Sequence, residues 1–451
     1  MQSLLDALSS LEEKDLTYTA LGQWVRAFPF RELTYKPHLP QAESKNDYAR
    51  HILTLDPLEA VLIYWPPGVR SAIHHHEGFY GYVVVLEGML QDRTFTFRDK
   101  VLKEDRVLQA FAGGIIDEPD GVIHELGNID PEQPAVTLHL YYPALETLEG
   151  LRIFDLDNRR IGTLNETAPT ASWQNPVDCF TAIEEEAFAL AKPASSHRMV
   201  LVQPKPDPET IYAMLARYYD EQAHEYDNFD LEHKTRKPYT ETINRLIGQD
   251  LCRQHAHQVL DVAVGTGRRA VAIRTMAQCD YDITGVDMSR EMCHIAGQRG
   301  IDARHGRWLD IDLGEEQFDA ATFLYAFGHI ATSELRLQTL QKIYRHLKPG
   351  GRLYLDLFNL HDQSEWGPAA LQAFEEQHLE RYGYEKGDVF YKKTGGTASA
   401  FVHYFTEEGA RALLQAAGFT IASIQYIGYV HDAGKIVDDA QKGFFFITAV
   451  K

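Results

Sequence analysis

Cysteine is scarce, with four in 451 residues. Cys179, Cys252, Cys279 and Cys293 show no C-x-x-C spacing, which excludes a disulfide frame or a thiolate zinc site and points to reduced thiols. Long apolar runs are missing too: no stretch reaches the roughly 18 residues that a membrane-crossing helix needs. The opening segment MQSLLDALSSLEEKDL reads as an amphipathic helix, without the basic and apolar regions of a secretory signal, so a cytoplasmic location is expected. Basic residues are outnumbered, 44 Lys and Arg against 65 Asp and Glu, for a net charge of −21. That balance argues against a nucleic-acid partner, which needs clustered Lys and Arg. Neither internal repeats nor low-complexity segments occur.

What is present is an ordinary globular balance, 44% hydrophobic and 24% charged, over a length that suggests two or three domains. Residues 45–142 read mostly as short strands, such as 60–65, 81–86 and 135–141, separated by Pro66-Pro67-Gly68, Glu87-Gly88, Gly113-Gly114 and Pro119-Asp120-Gly121. Strands at this spacing predict a jelly-roll barrel. The pattern then weakens into a proline-containing connector, with a helix expected over 182–192. From about 209 onward, helical stretches alternate with apolar strands at 258–262, 282–287, 318–323 and 352–357, which predicts a parallel sheet covered on both faces. Segments 421–426 and 444–450 supply two more strands. The expected organisation is a domain over 1–165, a connector over 166–208 and a second domain over 209–451.

Two period-2 patterns stand out in the first domain. In a strand, residues i and i+2 share a face, so His74 and His76 converge while His75 looks away. Thr137, His139 and Tyr141 share a face in the same manner, and His124 lies between the two patterns. Neutral imidazoles on a rigid strand suit iron, zinc or copper, and ligand type alone does not choose among them.

The stretch from Tyr48 to Tyr141 resembles cysteine dioxygenase and its thiol dioxygenase relatives, which are cupins with a three-histidine ferrous iron. Ile73, His74, His76 and Gly88 match the family's Ile-His-x-His strand and Gly turn. The resemblance implies an Fe(II) site of His74, His76 and His124, with Thr137, His139 and Tyr141 standing for the family's Ser-x-His-x-Tyr. Tyr141, oriented by His139, is then the catalytic hydrogen-bond donor. The family's Tyr-x-Arg falls on Tyr48-Ala49-Arg50, which implies that Tyr48 and Arg50 bind substrate, the guanidinium holding a carboxylate. The cysteine that forms a thioether with the tyrosine in animal enzymes falls at Gly81, so no such crosslink forms here.

In the second domain, strand 258–262 runs into a Gly-rich turn with Ala263, Gly265 and Gly267 spaced A-x-G-x-G. Asp287 ends the next strand, 20 residues after Gly267, where an acid holds ribose hydroxyls. A dinucleotide fingerprint would need G-x-G-x-x-G. The turn instead resembles motif I of class I S-adenosyl-L-methionine-dependent methyltransferases, as do Tyr218-Tyr219-Asp220, Leu347-Lys348-Pro349-Gly350-Gly351 and Ala417-Gly418-Phe419. The resemblance implies a Rossmann-like α/β domain in which Tyr218, Asp261, Ala263, Gly265, Gly267 and Asp287 contact the cofactor. Met288 and Trp308 are candidates to sandwich the adenine. The acid that often meets the adenine amino group falls at Arg307. Acceptor-side candidates are Tyr325 and His329, the latter as general base, and His403 and Tyr404 in an inserted hairpin.

The two resemblances together imply a two-domain enzyme, an N-terminal cupin jelly roll followed by a C-terminal class I methyltransferase. It would oxidise a small thiol with iron and methylate a small, cysteine-derived sulfur metabolite, with nitrogen the favoured acceptor and oxygen and sulfur open. The alternative keeps methyl transfer alone, with the cupin binding metal or substrate or mediating assembly. Expected partners are a small thiol or amino-acid-derived substrate, with a homodimer allowed and neither nucleic acid nor membrane.

Overall fold

Side-chain alternation organises the N-terminal half of this computed structural model. Along strand Ala135–Tyr142, Leu138 and Leu140 pack against helices Gln2–Ser9 and Tyr18–Ala27. Thr137, His139 and Tyr141 take the opposite face. The structure describes residues 1–41, 44–191, 197–228, 236–393 and 398–451. They form two units, Met1–Pro206 and Asp207–Lys451.

In the first unit two sheets share a core. One is antiparallel throughout, with strands Ala49–Thr54, Glu59–Trp65, Ala135–Tyr142, Tyr80–Glu87 and Ile115–Glu118 in spatial order. The other sets Ile73–His75, Ile123–Gly127, Met89–Arg98 and Val101–Phe111 side by side. Val61, Ile63, Val83 and Val85 of the first pack with Leu90, Leu108 and Leu126 of the second. This is the jelly roll that the strand spacing predicted.

The stretch read as a connector belongs to this unit. Phe180–Glu184 pairs with Arg160–Leu164, while Ala189–Leu190 and His197–Gln203 both run along Val101–Phe111. The helix expected over 182–192 is replaced by these strands, Lys192 lying outside the described residues. Glu186 adopts a left-handed conformation (φ 48°), and Ala187 and Phe188 then insert among Phe95, Phe154 and Ile161. Burial of the Phe188 ring, 5.8 Å from that of Phe154, overrides the helix propensity of a Glu- and Ala-rich run.

The second unit holds an eight-stranded sheet. Asp302–His305, Asp282–Asp287, Gln258–Val262, Phe318–Phe323 and Leu347–Leu357 lie in that order and run parallel. Phe444–Val450, Thr420–Ile427 and Ile436–Val437 continue it antiparallel. Leu260 and Ala321 face a core shared with helices Ser333–His346 and Glu407–Ala416. Val259 and Ala320 face the opposite core, with Arg236–Arg253 and Arg268–Ala277. The order of strands reverses beside Gln258–Val262, and the crevice at the carboxyl end of such a strand is where open α/β sheets bind ligands. The inserted hairpin is Asp388–Lys393 paired with Ser399–His403. Among the described residues no helix is long and apolar enough to cross a membrane.

Candidate functional site

The three histidines meet inside the barrel. His74 is the cross-strand partner of His124, so both rings share the inner face. His76 is anchored just beyond the strand by its backbone N–H, which donates to the Val122 carbonyl at 2.8 Å. His124 Nε2 lies 3.2 Å from His74 Nε2 and 3.1 Å from His76 Nε2, and all three side chains are buried.

The outer ring nitrogens explain this convergence. His74 Nδ1 lies 3.0 Å from the Ala72 carbonyl, and His124 Nδ1 lies 2.9 Å from Asp92 Oδ1. Carbonyl and carboxylate oxygens only accept, so both Nδ1 atoms carry hydrogen and both Nε2 atoms present lone pairs. Facing lone pairs at this distance repel, and a cation between them relieves the repulsion. Donors about 2.1 Å from a common ion and at right angles stand about 3.0 Å apart, close to what is seen. Burial pushes His74 down to about 3, and the charge of His124 adds to it. Burial also lowers His76 well below its ordinary value. At His124 burial opposes protonation, but the carboxylates of Glu118 and Asp92 outweigh it and raise that ring above its ordinary value.

A directed hydrogen-bond chain runs beside the cluster. The Trp65 indole N–H donates to Thr137 Oγ1 at 2.8 Å, and the Thr137 hydroxyl meets His139 Nε2 at 2.8 Å. His139 Nδ1 meets the Tyr141 hydroxyl at 2.8 Å. An indole N–H only donates. With Thr137 donating to His139, and His139 Nδ1–H to Tyr141, no hydrogen in the chain lacks an acceptor. The hydroxyl hydrogen of Tyr141 is then directed toward the Glu118 carboxylate. Burial lowers His139 well below its ordinary value, so the ring relays as a neutral group.

His74, His76, His139 and Tyr141 line a small cavity of about 50 Å³ together with Tyr48 and Arg50. Arg50 is therefore no surface residue, and its Nη2 donates to Glu59 Oε1 at 3.1 Å, a carboxylate with no exposed side-chain surface. Tyr48 stacks on Trp65 with ring centroids 4.6 Å apart, and its hydroxyl accepts from the Ala171 N–H. Gly81 pairs with Tyr141 across the sheet, and a Cβ there would run into the Tyr141 ring and the Leu140 carbonyl.

At the crevice of the second unit lies a cavity of about 580 Å³. Ala263, Gly265, Asp287, Met288 and Trp308 line it. The turn needs left-handed backbone at Ala263 (φ 59°), Gly265 (φ 56°) and Gly267 (φ 75°), which alanine adopts only with strain. At Gly267 a Cβ would also collide with Ile301. Asp287 accepts the Gly265 N–H at 2.8 Å and the Ser289 N–H at 2.9 Å, fixing its carboxylate at the cavity wall. Asp261 lies on a smaller neighbouring cavity with Gly265, Arg269 and Tyr325. Thr322 donates to it at 2.7 Å, and burial pushes its carboxyl up to about 7.

The acceptor-side candidates separate. Tyr325 and His329 line the large cavity. Tyr325 has left-handed backbone (φ 63°), and its ring lies 4.5 Å from the Arg236 guanidinium and 5.0 Å from that of Arg269. His403 is turned to Asp388 Oδ1 at 2.7 Å and Tyr404 to Glu365 Oε2 at 3.2 Å, and neither lines that cavity. Tyr218 does not line it either, whereas its neighbour Tyr219 does. Arg307, where an acid was expected, lines it beside Asp310, to which it donates at 2.7 Å. Sequence reasoning singled out neither Asp92, Glu118 nor Asp310. Asp92 and Glu118 carry no pattern that ties them to the histidines, whereas Asp310, three residues after Arg307, was within reach of a broader search.

Comparison with known proteins agrees with this geometry. Residues 45–155 match the family model for cysteine dioxygenase type I, and residues 259–351 match that for a methyltransferase domain. Human cysteine dioxygenase type 1 is 34% identical over 92 residues, which is 19% of this chain and 46% of that protein. A ubiquinone/menaquinone biosynthesis C-methyltransferase of Geotalea daltonii is 31% identical over 106 residues, 22% of this chain and 44% of that protein. The chain thus spans about half the length of the curated relatives it matches. Among solved structures, the 1,6-didemethyltoxoflavin-N1-methyltransferase of Burkholderia thailandensis is 20% identical with a TM-score of 0.37, over 55% of this chain and 92% of that one. The chain carries a cysteine dioxygenase-like cupin domain followed by a methyltransferase domain.

Proposed function

We propose that this chain is a bifunctional small-molecule enzyme, a methyltransferase that uses S-adenosyl-L-methionine joined to an iron-dependent thiol dioxygenase. The observation that carries the oxidative half is the convergence of three Nε2 atoms on one point beside Arg50 and Tyr141. His74, His76 and His124 hold Fe(II), which supplies the redox-active centre for activating dioxygen and a thiolate. Arg50 receives the substrate carboxylate with the donors that Glu59 does not use. Tyr141, its oxygen already held by His139, turns its hydrogen from Glu118 into the cavity where charge develops.

In the second unit Asp287 holds the ribose of the methyl donor, Met288 and Trp308 flank its adenine, and the Ala263–Gly267 turn receives its methionyl end. The donor supplies a methyl group on a sulfonium, so the protein's task is to align the acceptor with it. Nitrogen is the acceptor we favour. An amine gains positive charge as it attacks, and the ring of Tyr219 on the cavity wall stabilises such charge. The substrate is a small, cysteine-derived sulfur compound, or two compounds of one pathway.

One observation favours a second reading, in which the cupin binds metal or substrate without oxidising it. Arg50 is already neutralised by buried Glu59, so the cavity has less unspent positive charge for a carboxylate. Anaerobic iron loading followed by oxygen uptake with a panel of small thiols separates the two. Uptake with any thiol supports the dioxygenase; intact methyl transfer with no uptake from the whole panel rejects it.

A further inference from the structure

Behind the three histidines lies a carboxylate without a role so far. Glu118 is 1% exposed, and the Tyr141 hydroxyl is turned toward its carboxylate. Its Oε2 is 3.8 Å from His76 Nδ1 and its Oε1 is 3.7 Å from His124 Nδ1. His124 Nδ1 already has Asp92, and His74 Nδ1 already has a carbonyl. His76 Nδ1 alone has no partner, and it too is buried. The unmatched His76 donor therefore faces this carboxylate across a gap less than an ångström beyond a hydrogen bond, too narrow for a water. A buried N–H left unpaired is costly, so closing the gap is favoured.

The strand register shows why the carboxylate stands there. Glu118 pairs with Gly81, and Gly81 pairs with Tyr141, so the three form one row across three strands on the inner face. Residue 81 contributes no side chain to that row, and the Tyr141 ring leans over it toward Glu118.

We propose that Glu118 is a positioning residue for the metal: its carboxylate accepts the His76 Nδ1–H and so holds the third imidazole with its Nε2 lone pair toward the ion. This rests on the assignment of His74, His76 and His124 as ligands. Carboxylates behind metal-bound histidines typically change affinity by about 10- to 100-fold when removed.

The test is Co(II) titration of the full chain, followed by its visible absorption, with melting of the metal-free protein measured in parallel. Glu118→Gln and Glu118→Leu are expected to weaken Co(II) binding by about 10-fold and about 100-fold, with a shifted Co(II) band at saturation. The metal-free variants are expected to melt at or above the wild-type temperature, because burial disfavours the carboxylate that has been removed. A merely structural Glu118 would show the reverse, lower melting with unchanged affinity. Wild-type Co(II) affinity in both variants, with binding lost in His76→Ala, overturns the role of Glu118 alone. Absence of Co(II) binding by the wild-type chain overturns the histidine assignment and the Glu118 role with it.

Discussion

The Tyr219 hydroxyl lies 2.7 Å from His329 Nε2, while the Phe401 carbonyl faces the other ring nitrogen, Nδ1. A carbonyl only accepts, so Nδ1 carries the hydrogen and Nε2 receives that of Tyr219. His329 has no free nitrogen for a substrate proton. It holds Tyr219 in the cavity wall.

Burial pushes His329 from its ordinary 6.5 down to about 4. Methyl transfer is therefore expected to show no limb near 6.5 from this ring, and Tyr219→Phe to lower kcat/KM by about tenfold. The unfolded chain binds the proton more readily, so this ring adds stability above pH 6.5 that is lost as pH falls toward 4, on the order of 3 kcal/mol. Comparison of pH-dependent melting between wild type and His329→Gln isolates that contribution. Identical profiles would show that the ring is not buried neutral.

Asp261 offers a second pH handle. Its carboxyl is held at about 7 against an ordinary 3.8, chiefly by burial. Its ionisation costs stability as pH rises from about 4 to 7. A cationic methyl donor beside it favours the ionised form, so affinity for the donor is expected to climb with pH, at most about tenfold per unit, and to level off above 7. Isothermal titration across pH 5–8 reads this. Asp261→Asn should flatten the slope; the same slope in that variant would remove Asp261 from the donor site.

Arg50 and Glu59 combine a buried ion pair with a proposed substrate contact. Arg50→Met leaves Glu59 buried and uncompensated, with an expected loss of about 3–5 kcal/mol. Adding Glu59→Gln should restore most of that stability without restoring the KM for carboxylate-bearing thiols. Recovery of both in the double variant would mean that Arg50 serves only the fold.

Metal removal should act on one unit. A ligand at about a hundredfold its Kd stabilises its site by about 2.7 kcal/mol. Chelation is therefore expected to lower melting of Met1–Pro206 and to leave S-adenosylhomocysteine binding by Asp207–Lys451 unchanged. His124→Ala should abolish the chelator effect, and iron content equal to wild type in that variant would count against the ligand set.

Local periodicity made much of this protein legible. An alternation of two puts His74 with His76, and Thr137 with His139 and Tyr141, in any extended strand, whatever surrounds it. The Gly-rich turn between strand and helix, with Asp287 beyond, is likewise a local pattern. Non-local contacts decided the rest. Residues 182–191 carry helix formers yet form strands, because Phe188 is buried against a distant core. Tyr219 reaches the cavity where Tyr218 does not, and His403 and Tyr404 are drawn to Asp388 and Glu365. Asp92 and Glu118 stand behind the histidines only because separate strands come into register there. Periodicity determines which side chains share a face. Which partner each then meets depends on pairings between segments far apart in the chain, and those free energies are set only when the sheets close.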